Sequence, residues 1–355
     1  MSLGNGVGEA YHEWTADWNN LQIILAAWKV TLDKLDKWNF PTVRLALYEA
    51  TPDFAKYDAI ISYIVSRGYK VILDFHNGPN MLTGTLGSDV WINYWKSMAT
   101  YYKDNPNVVA FELLNEPFMS SSWDGVTVTN YNQIYPAYKR CTDAVRAIDP
   151  TRTVIWGDPF QCNLLPGFGG GSDVLSQYLP YAGNMYFSFH QYPPLNPTEA
   201  NPYLGVNMLF GAMNYVKGLG FRVWLGEFGC LPWFTYDENF QFTLQCINRA
   251  IAAGIDFSLW GYSNNDEYFA YPTFYDDVLA ASNYVEPPPP SGKTYVFDHW
   301  VINGQTVTQN PMQLAMTTDV NVLAVYIEKV VTHTLIVQAI DTLGSPIIGV
   351  PVTID

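Results

Sequence analysis

Two glutamates stand at the ends of apolar runs and could act together on a substrate. Glu116 lies in FELLNEPF (residues 111–118), directly after Asn115. Pro117 closes this strand-like run, because proline has no N–H to donate to a β-ladder. Glu227 follows a second apolar run in VWLGEFG, where flanking glycines predict a turn. A carboxylic acid that donates a proton and a carboxylate that attacks or activates water are the pair that glycoside hydrolysis needs.

The two glutamates are predicted to have opposite protonation states. Glu116 is the expected acid, in a crowded, ring-lined pocket that raises its pKa, whereas Glu227 must stay ionised to act as nucleophile. Arg44 is the cation expected to keep it ionised. Taken alone, either glutamate could instead cap a helix or pair with an arginine.

Further polar and aromatic side chains follow other predicted strands in the same way. His76 and Asn115 offer donors to sugar hydroxyls, and Asn115 is placed to bond the 2-hydroxyl. Trp260 offers a flat apolar face to a pyranose ring, and four loop aromatics are weaker stacking candidates because packing explains each one: Trp123, Trp156, Trp233 and Tyr268. The complete predicted site is Arg44, His76, Asn115, Glu116, His190, Tyr192, Glu227 and Trp260.

These side chains require a scaffold that brings many strand ends together. Seven apolar runs alternate with helix-like patterns and cover residues 42–50, 70–76, 108–116, 152–159, 184–192, 222–229 and 256–262. They are continuously apolar, as strands buried on both faces are. With a first strand near residues 4–9, they predict a (β/α)8 barrel whose site lies at the carboxyl ends of its strands. A doubly wound open sheet is the alternative, but it would gather the chemistry at one switch point.

Two carboxylates are predicted inside this barrel. Glu112 has the same strand parity as Glu116 and is expected to point inward below it, where Arg44 is its partner. Asp74, two residues before His76, is expected to accept an internal hydrogen bond.

The composition changes near residue 286. Residues 1–285 are assigned to the barrel, and EPPPPSG at 286–292 is typical of a stiff linker. Residues 293–355 contain an Asn-Gly pair between β-rich runs, which predicts a hairpin. We expect an accessory all-β region there, immunoglobulin-like and at most part of such a unit.

Composition restricts the partners. The 355 residues carry a net charge of -15 with 18 Lys and Arg, which argues against nucleic acid and anionic membranes. Aromatic residues make up 16% and charged residues only 14%, which favours a neutral ligand that stacks on rings, such as a sugar. No apolar run reaches 18 residues, so no membrane insertion is expected. We expect no cofactor, no metal and a monomer.

Four cysteines, Cys141, Cys162, Cys230 and Cys246, have no metal-ligand spacing and allow zero, one or two disulfides, with buried free thiols favoured. Residues 1–3 (MSL) are typical of an expression vector, so we leave them out of the fold and expect that they replace a secretion signal. The expected location is secreted or at the cell surface.

The segments LDFH, NEP, FHQY, GEFG and SLW occur in this order at successive strand ends. Over about residues 30 to 275 the chain closely resembles glycoside hydrolase family 5. The resemblance implies a retaining double displacement with Glu116 as acid/base and Glu227 as nucleophile. It places His190 beside the acid and Arg44 with Tyr192 near the nucleophile, and it places three residues in the subsite before the scissile bond: His76, Asn115 and Trp260.

The resemblance also implies a substrate class. A secreted enzyme that cleaves internal β-1,4 bonds of cellulose or another β-glucan is the leading hypothesis, with mannan as the nearest alternative. The choice depends on the 2-hydroxyl, which is equatorial in glucose and axial in mannose. A non-catalytic carbohydrate-binding surface protein would be expected to lack one glutamate, and both are present.

Overall fold

Eight parallel strands form a closed barrel in the computed structural model. Each strand pairs with the next, and the short first strand closes the barrel by pairing with both the second and the eighth. The strands are β1 Gly6–Gly8, β2 Thr42–Leu47, β3 Lys70–Phe75, β4 Val108–Glu112, β5 Thr153–Gly157, β6 Met185–Gln191, β7 Arg222–Phe228 and β8 Phe257–Trp260. The predicted barrel and its first strand are confirmed.

The structure describes part of the 355 residues. The described positions are 3, 6–8, 20–36, 38, 40–47, 49, 51–76, 89–116, 131–157, 175–193, 204–231, 234–260, 273–284, 295–302, 305–307 and 322–328. By contacts the chain divides into two compact units, Met1–Glu286 and Pro287–Asp355.

Seven described helices belong to the first unit. They are α1 Leu21–Leu35, α2 Phe54–Ser66, α3 Asp89–Tyr102, α4 Tyr131–Arg146, α5 Leu204–Gly218, α6 Tyr236–Ala253 and α7 Phe274–Ala281, with a 3-10 helix at Leu179–Asn184. Local residues set both ends of α6. Thr235 and Glu238 form a capping box at its start, and Gly254 ends it with a φ of 62°, which glycine adopts easily. Within the described helices, none combines the length and apolar character that crossing a bilayer requires.

Side chains alternate between the two faces of each strand, and the two faces have different cores. On β3, Val71, Leu73 and Phe75 join the large core beneath the helices, whereas Ile72 lies in a separate cluster. That inner cluster fills the amino-terminal end of the barrel and consists of Leu3, Ile72, Ala110, Ile155, Tyr186 and Trp224. The strands are therefore apolar on both faces, as their continuous apolar runs predict.

This packing corrects one sequence expectation and confirms another. Leu3, left out as vector-derived, is only 5% exposed and belongs to the inner cluster. Trp156, for which packing is favoured over sugar stacking, is fully buried on the outward face of β5. Its ring stacks on Tyr138 with centroids 5.3 Å apart, and its Nε1 donates to Thr142 Oγ1 at 2.9 Å.

A polar layer lies between the inner cluster and the rim of the barrel. Its members point inward by the same alternation, and none is more than 1% exposed: Arg44, Asp74, Glu112, Ser188 and Ser258. Interior layers of parallel barrels are usually filled by branched apolar residues, so a charged layer is a departure that needs compensation.

The second unit contains three described strands, β9 Tyr295–Ile302, β10 Gln305–Val307 and β11 Val322–Glu328. They form an antiparallel sheet in the order β10-β9-β11. The first two flank residues 303–304, the Asn-Gly pair from which the hairpin is predicted. In the first unit, Cys141, Cys230 and Cys246 are buried free thiols, as favoured by the sequence, and Cys162 lies outside the described residues.

Candidate active site

Seven of the eight predicted site residues lie at the carboxyl-terminal ends of barrel strands, and Arg44, in the middle of β2, reaches them with its long side chain. Arg44, His190, Glu227 and Trp260 belong to strands, whereas His76, Asn115, Glu116 and Tyr192 follow strand ends within four residues. Hydrogen bonds, a ring contact and the ion-pair contact between His190 and Glu227 connect all eight. Trp123, Trp233 and Tyr268, the remaining stacking candidates, lie outside the described residues.

Glu227 reaches the interior because of an irregularity in β7. Phe189 pairs with Leu225, but His190 pairs with Glu227, so Gly226 is left without a partner in β6. Leu225 faces the outer core, and strict alternation would send Glu227 the same way. The extra residue reverses the parity and turns the carboxylate inward. Glu227 therefore lies inside a strand and not in the predicted turn.

Glu116 lies four residues beyond the end of β4. The chain stays anchored past that end, since Leu113 N donates to Ile155 O at 3.0 Å and Asn115 N donates to Phe75 O at 2.9 Å. Leu113 O in turn accepts the indole N–H of two tryptophans of α3, Trp91 and Trp95, each at 2.9 Å. The backbone that carries the predicted acid is thus fixed by three neighbouring elements.

Glu116 has a backbone φ of 36°, and among the described residues it is the one non-glycine with a positive φ. A side chain in this region costs about 1–2 kcal/mol, and such strain is tolerated where it aims a functional group.

We expect Glu116→Gly to be more stable than Glu116→Ala, although both lose the carboxylate. Glycine relieves the strain and alanine retains it, so the difference should be about 1 kcal/mol. Urea unfolding of both variants measures this difference in the free energy of unfolding, provided that the two m-values are equal. An alanine variant as stable as the glycine variant would show that the positive φ carries no cost.

The two glutamates approach the same nitrogen of one imidazole. His190 Nδ1 is 2.9 Å from Glu116 Oε1 and 3.4 Å from Glu227 Oε2. One carboxylate oxygen of each glutamate and one His190 nitrogen all lie within 4.8 Å of one another. The Glu227 side chain is 5% exposed and that of Glu116 is 13%, so the pair is nearly enclosed but reachable.

The positive charge of Arg44 offsets the negative charge of the buried carboxylates around it. Its Nε donates to Glu112 Oε2 at 2.6 Å and its Nη1 donates to Glu227 Oε2 at 3.1 Å. Its Nη2 lies 2.9 Å from Asp74 Oδ2 and 2.8 Å from Asn115 Oδ1. The predicted pairing of Glu112 with Arg44 and the internal role of Asp74 are confirmed. One buried guanidinium thus serves three carboxylates and an amide.

The hydrogen bonds fix the orientation of Asn115. A guanidinium can only donate, so the Asn115 oxygen faces Arg44 and the Asn115 NH2 faces His76 Nε2 at 3.2 Å. His76 Nε2 must then accept, and the proton on Nδ1 is donated to Asp74 Oδ2 at 2.6 Å. Burial lowers the pKa of His76 to about 3, which keeps its ring neutral. No partner among the described residues is recorded for the second N–H of Asn115, so a ligand hydroxyl could accept from it.

Burial also sets the acidity around Glu227. It raises the pKa of Glu227 above the ordinary value, although His190 and the charge of Arg44 act to lower it. The expectation that Arg44 holds this pKa down is therefore met only in part, because desolvation is the larger effect. Tyr192 donates its O–H to Glu227 Oε1 at 2.6 Å, and burial raises the pKa of Tyr192 well above its ordinary value, so it remains a donor.

Trp260 is held from both sides of its strand end. Its ring stacks on His76 with centroids 4.8 Å apart and planes 3° from parallel. Tyr275 of α7 donates to Trp260 O at 2.7 Å and accepts from Cys230 N at 3.3 Å. A Cβ at Gly229 would lie 2.2 Å from the Tyr275 oxygen, so this bridge depends on glycine. One face of Trp260 is covered by His76, and Arg44 Cζ lies 5.4 Å from the centroid of the ring.

Glu116, His190 and Glu227 are also spaced as three metal ligands. Each of them is already engaged, and the Glu227 oxygen nearest to His190 is the one that Arg44 binds. A cation there would lie next to a guanidinium, so the arrangement suits acid/base chemistry better than metal binding.

Sequence reasoning missed Ser188, Gly226 and Tyr275. Ser188 is fully buried two residues before His190, with its Oγ 3.1 Å from His190 Nε2. Inward parity along β6 could have indicated Ser188. No sequence signal distinguishes Gly226 or Tyr275 from ordinary barrel residues.

Comparison with known proteins identifies the family. The family model described as Cellulase (glycosyl hydrolase family 5) matches residues 4–266. The chain belongs to glycosyl hydrolase family 5. The matched segment contains every strand of the barrel and all eight site residues.

The similar proteins with known names match only parts of the chain. An endoglycoceramidase of Hydra vulgaris is 27% identical over 115 residues, which are 30% of this chain and 21% of that protein. An endoglucanase of Paenibacillus polymyxa is 31% identical over 105 residues, 28% of this chain and 26% of that protein. This chain therefore matches only about a quarter or less of the length of these two relatives.

Solved structures support the family 5 fold. The crystal structure of an endoglucanase of Pseudomonas stutzeri superposes with a TM-score of 0.60 and 13% identity, over 82% of this chain and 96% of that chain. At this identity the likeness shows the barrel fold and nothing about the substrate.

Proposed function

We propose that this protein is a retaining glycoside hydrolase that cleaves internal β-1,4 bonds of a β-glucan such as cellulose, with Glu116 as acid/base and Glu227 as nucleophile. The observation that carries the proposal is the approach of the two carboxylates within 4.8 Å. Retaining enzymes hold their carboxyl groups about 5–5.5 Å apart, whereas inverting enzymes leave about 6.5–9.5 Å for a water molecule.

In the first step, Glu227 attacks the anomeric carbon while Glu116 protonates the departing glycosidic oxygen. The C–O bond to the leaving sugar breaks, and an ester bond to Glu227 forms. Tyr192 and Arg44 hold the two Glu227 oxygens, which fixes the direction of attack. His190 lies beside Glu116 and stabilises the carboxylate that remains after proton transfer.

In the second step, Glu116 acts as a base. It takes a proton from a water molecule, whose oxygen attacks the same anomeric carbon and displaces Glu227 as a carboxylate. Two inversions give net retention, and each proton that Glu116 loses in the first step is recovered in the second.

The residues around the pair support a sugar ligand. Asn115 has one N–H without a recorded partner in the described part of the chain, and the apolar ring of Trp260 lies against His76. These features suit the sugar before the scissile bond. They do not distinguish an equatorial from an axial 2-hydroxyl, so mannan is the second substrate, and the likeness to an endoglycoceramidase adds glycolipid as a third.

A comparative assay tests the proposal. The full chain is incubated with carboxymethylcellulose, lichenan, xylan, mannan and a glycosylceramide, and new reducing ends and released ceramide are measured. We expect the largest rate on a β-1,4-linked glucan, with products whose fresh anomeric centre is β by NMR. Fresh α products would overturn the retaining mechanism, and release of ceramide alone would overturn the substrate class.

The acid side of the pH profile should reflect Glu227. The nucleophile must be deprotonated, so activity falls as the pH falls through its pKa. Since burial raises that pKa, we expect the acid limb of kcat/KM to lie above pH 4.5, the ordinary value for a glutamate. Initial rates between pH 3 and 8 on a soluble oligosaccharide measure the limb. A limb below pH 4.5 would show that Arg44 outweighs burial.

We also propose that residues 286–292 are a linker and residues 293–355 an accessory domain. The division of the chain at Glu286 supports this, and the three antiparallel strands support an all-β tail. Its immunoglobulin-like nature stays a prediction from sequence. We also propose that the protein is secreted or displayed at the cell surface, because its proposed substrate is an extracellular polymer. A monomeric state is proposed as well.

A chain ending at Glu286 should fold and retain full kcat on a soluble substrate. The barrel unit contains the complete site, so removal of Pro287–Asp355 removes none of the residues proposed for catalysis. Thermal unfolding and kcat of the shortened chain are compared with those of the full chain. Loss of folding would show that the tail completes the core of the barrel unit.

A further inference from the structure

The two nitrogens of His190 face different groups. Nδ1 lies 2.9 Å from Glu116 Oε1 and 3.4 Å from Glu227 Oε2. Nε2 lies 3.1 Å from Ser188 Oγ and 3.8 Å from Glu112 Oε1. Carboxylates thus lie near both nitrogens of one ring. The nitrogen that carries the proton can donate a hydrogen bond to the carboxylate beside it, whereas the other nitrogen presents a lone pair.

The ring carries one proton at neutral pH. Burial lowers the pKa of His190 to about 4, against the carboxylates that act to raise it. The charged or titratable groups that face it are Glu112 on β4, Glu116 beyond β4, Glu227 on β7, Arg44 on β2 and His76 just beyond β3. The imidazole is therefore neutral, and two tautomers compete.

Glu112 favours the unproductive tautomer. Its Oε1 is buried and has no hydrogen-bond partner among the described residues, so it would gain from an N–H on His190 Nε2. In that tautomer the lone pair of Nδ1 faces Glu116. A protonated Glu116 would then donate its proton to the imidazole 2.9 Å away, and not to the glycosidic oxygen.

Ser188 favours the other tautomer of His190, the one with the proton on Nδ1. Its side chain is fully buried, and His190 Nε2 is the one hydrogen-bond partner recorded for its Oγ in the described part of the chain. The hydroxyl satisfies its own hydrogen only by donating to Nε2, because a bond accepted from Nε2–H would leave that hydrogen buried and unpaired.

Gly226 makes room for this hydroxyl. A Cβ at position 226 would lie 2.0 Å from Ser188 Oγ, a distance that forces a shift. The bulge residue that turns Glu227 inward therefore also permits the contact between Ser188 and His190.

We propose that Ser188 is a positioning residue that keeps the proton of His190 on Nδ1, so that the acid proton of Glu116 is directed to the leaving group. The inference rests on the acid role proposed for Glu116. Ser188 itself touches neither the substrate nor the reacting atoms.

The first test reads the tautomer directly. The full chain is labelled with nitrogen-15 histidine, the His190 signals are assigned by their loss in His190→Asn, and two-bond proton-nitrogen spectra report which nitrogen is protonated. We expect Nδ1–H in the unaltered protein and a shift toward Nε2–H in Ser188→Ala. Gly226→Ala, which displaces the hydroxyl, should shift the tautomer in the same direction.

The second test separates positioning from a general loss of structure. Ser188→Ala should lower kcat about tenfold or more on an unactivated oligosaccharide with little change in KM, because the acid is misdirected. A dinitrophenyl glycoside needs no protonation of its leaving group, so its glycosylation rate should change about twofold at most.

Ser258→Ala is the matched control. Ser258 is another fully buried serine on an inward position, and its Oγ has no partner among the described residues. It should change neither the tautomer nor kcat. Glu112→Gln in the Ser188→Ala background should restore Nδ1–H, since an amide N–H at the Oε1 position can donate to Nε2.

The outcomes are separable. If Ser188→Ala and Gly226→Ala both keep Nδ1–H, or both substrates lose rate equally, the inference is wrong. If no glycan is cleaved by the unaltered protein, the proposed function fails, while the tautomer measurement still decides what Ser188 does to His190.

Discussion

Glu227→Gln is expected to lower kcat about 10⁴-fold or more while the protein remains folded. The amide is nearly the same size, and its oxygen still accepts the 2.6 Å hydrogen bond of Tyr192. It cannot form the glycosyl ester, so the first displacement is lost. Stability should be unchanged or lower, because a neutral group replaces a buried carboxylate but the amide nitrogen then faces Arg44 Nη1, which is also a hydrogen-bond donor. Steady-state kinetics and thermal unfolding measure the two effects.

Chemical rescue identifies which glutamate attacks. In Glu227→Ala a small anion such as azide can enter the vacated space and attack an activated aryl glycoside once, giving the α-glycosyl azide. In Glu116→Ala the intermediate on Glu227 still forms, and azide displaces it to give the β-glycosyl azide. The reverse pair of products would exchange the two assigned roles.

Glu238→Gln is the control for the glutamate substitution. Glu238 is exposed in the capping box of α6, and glutamine forms the same box. We expect full activity and a change in stability within about 0.5 kcal/mol. A comparable loss of activity in this variant would point to handling of the protein and not to chemistry at Glu227.

Arg44→Met is expected to destabilise the protein by about 3–5 kcal/mol and to abolish activity. The guanidinium bonds three carboxylates whose side chains are at most 5% exposed: Asp74, Glu112 and Glu227. Methionine has similar length but leaves these charges uncompensated. Urea unfolding at several pH values measures the loss.

The pH dependence of this loss has a definite sign. Burial raises the pKa of Asp74 to about 7 even with Arg44 beside it. Without Arg44 the folded-state pKa values of the carboxylates rise further above those of the unfolded chain. The folded variant then holds protons that the unfolded chain releases, so its stability falls as the pH rises. Arg44→Met should be closer to the unaltered protein at pH 4 than at pH 8.

Arg152→Met provides the matched comparison. Arg152 is also buried and binds one carboxylate, Asp149, at 2.8 Å, but it lies before β5, away from the site. It should lose stability while the folded fraction keeps its kcat. If Arg44→Met stayed as stable as the unaltered protein at pH 8, the charged layer would not depend on that guanidinium.

Local sequence information was sufficient to predict the barrel strands and the residues at their carboxyl ends. Each apolar run has the length of a strand, and parallel strands deliver the residues after their ends to one face of a barrel. Glu116, His76 and Tyr192 could be placed by this rule, since each follows its strand within four residues. Glu112 and Asp74 could be placed by counting parity backwards from the rim.

Other features depend on pairing between strands, which no local pattern encodes. Period-two alternation fixes relative parity only until a bulge intervenes, and the bulge at Gly226 exists because β6 and β7 pair in one register before it and another after it. The same dependence hid the packing of Leu3 inside the barrel.

By itself the sequence determined which side chains are present for chemistry and which strand ends carry them. Only the tertiary structure decided that Glu227 points inward, that Glu116 has a positive φ, and that burial outweighs Arg44 in setting the pKa of Glu227. The physical reason is that side-chain direction, backbone strain and desolvation depend on neighbours that are distant in the chain, and these neighbours meet only when the barrel closes.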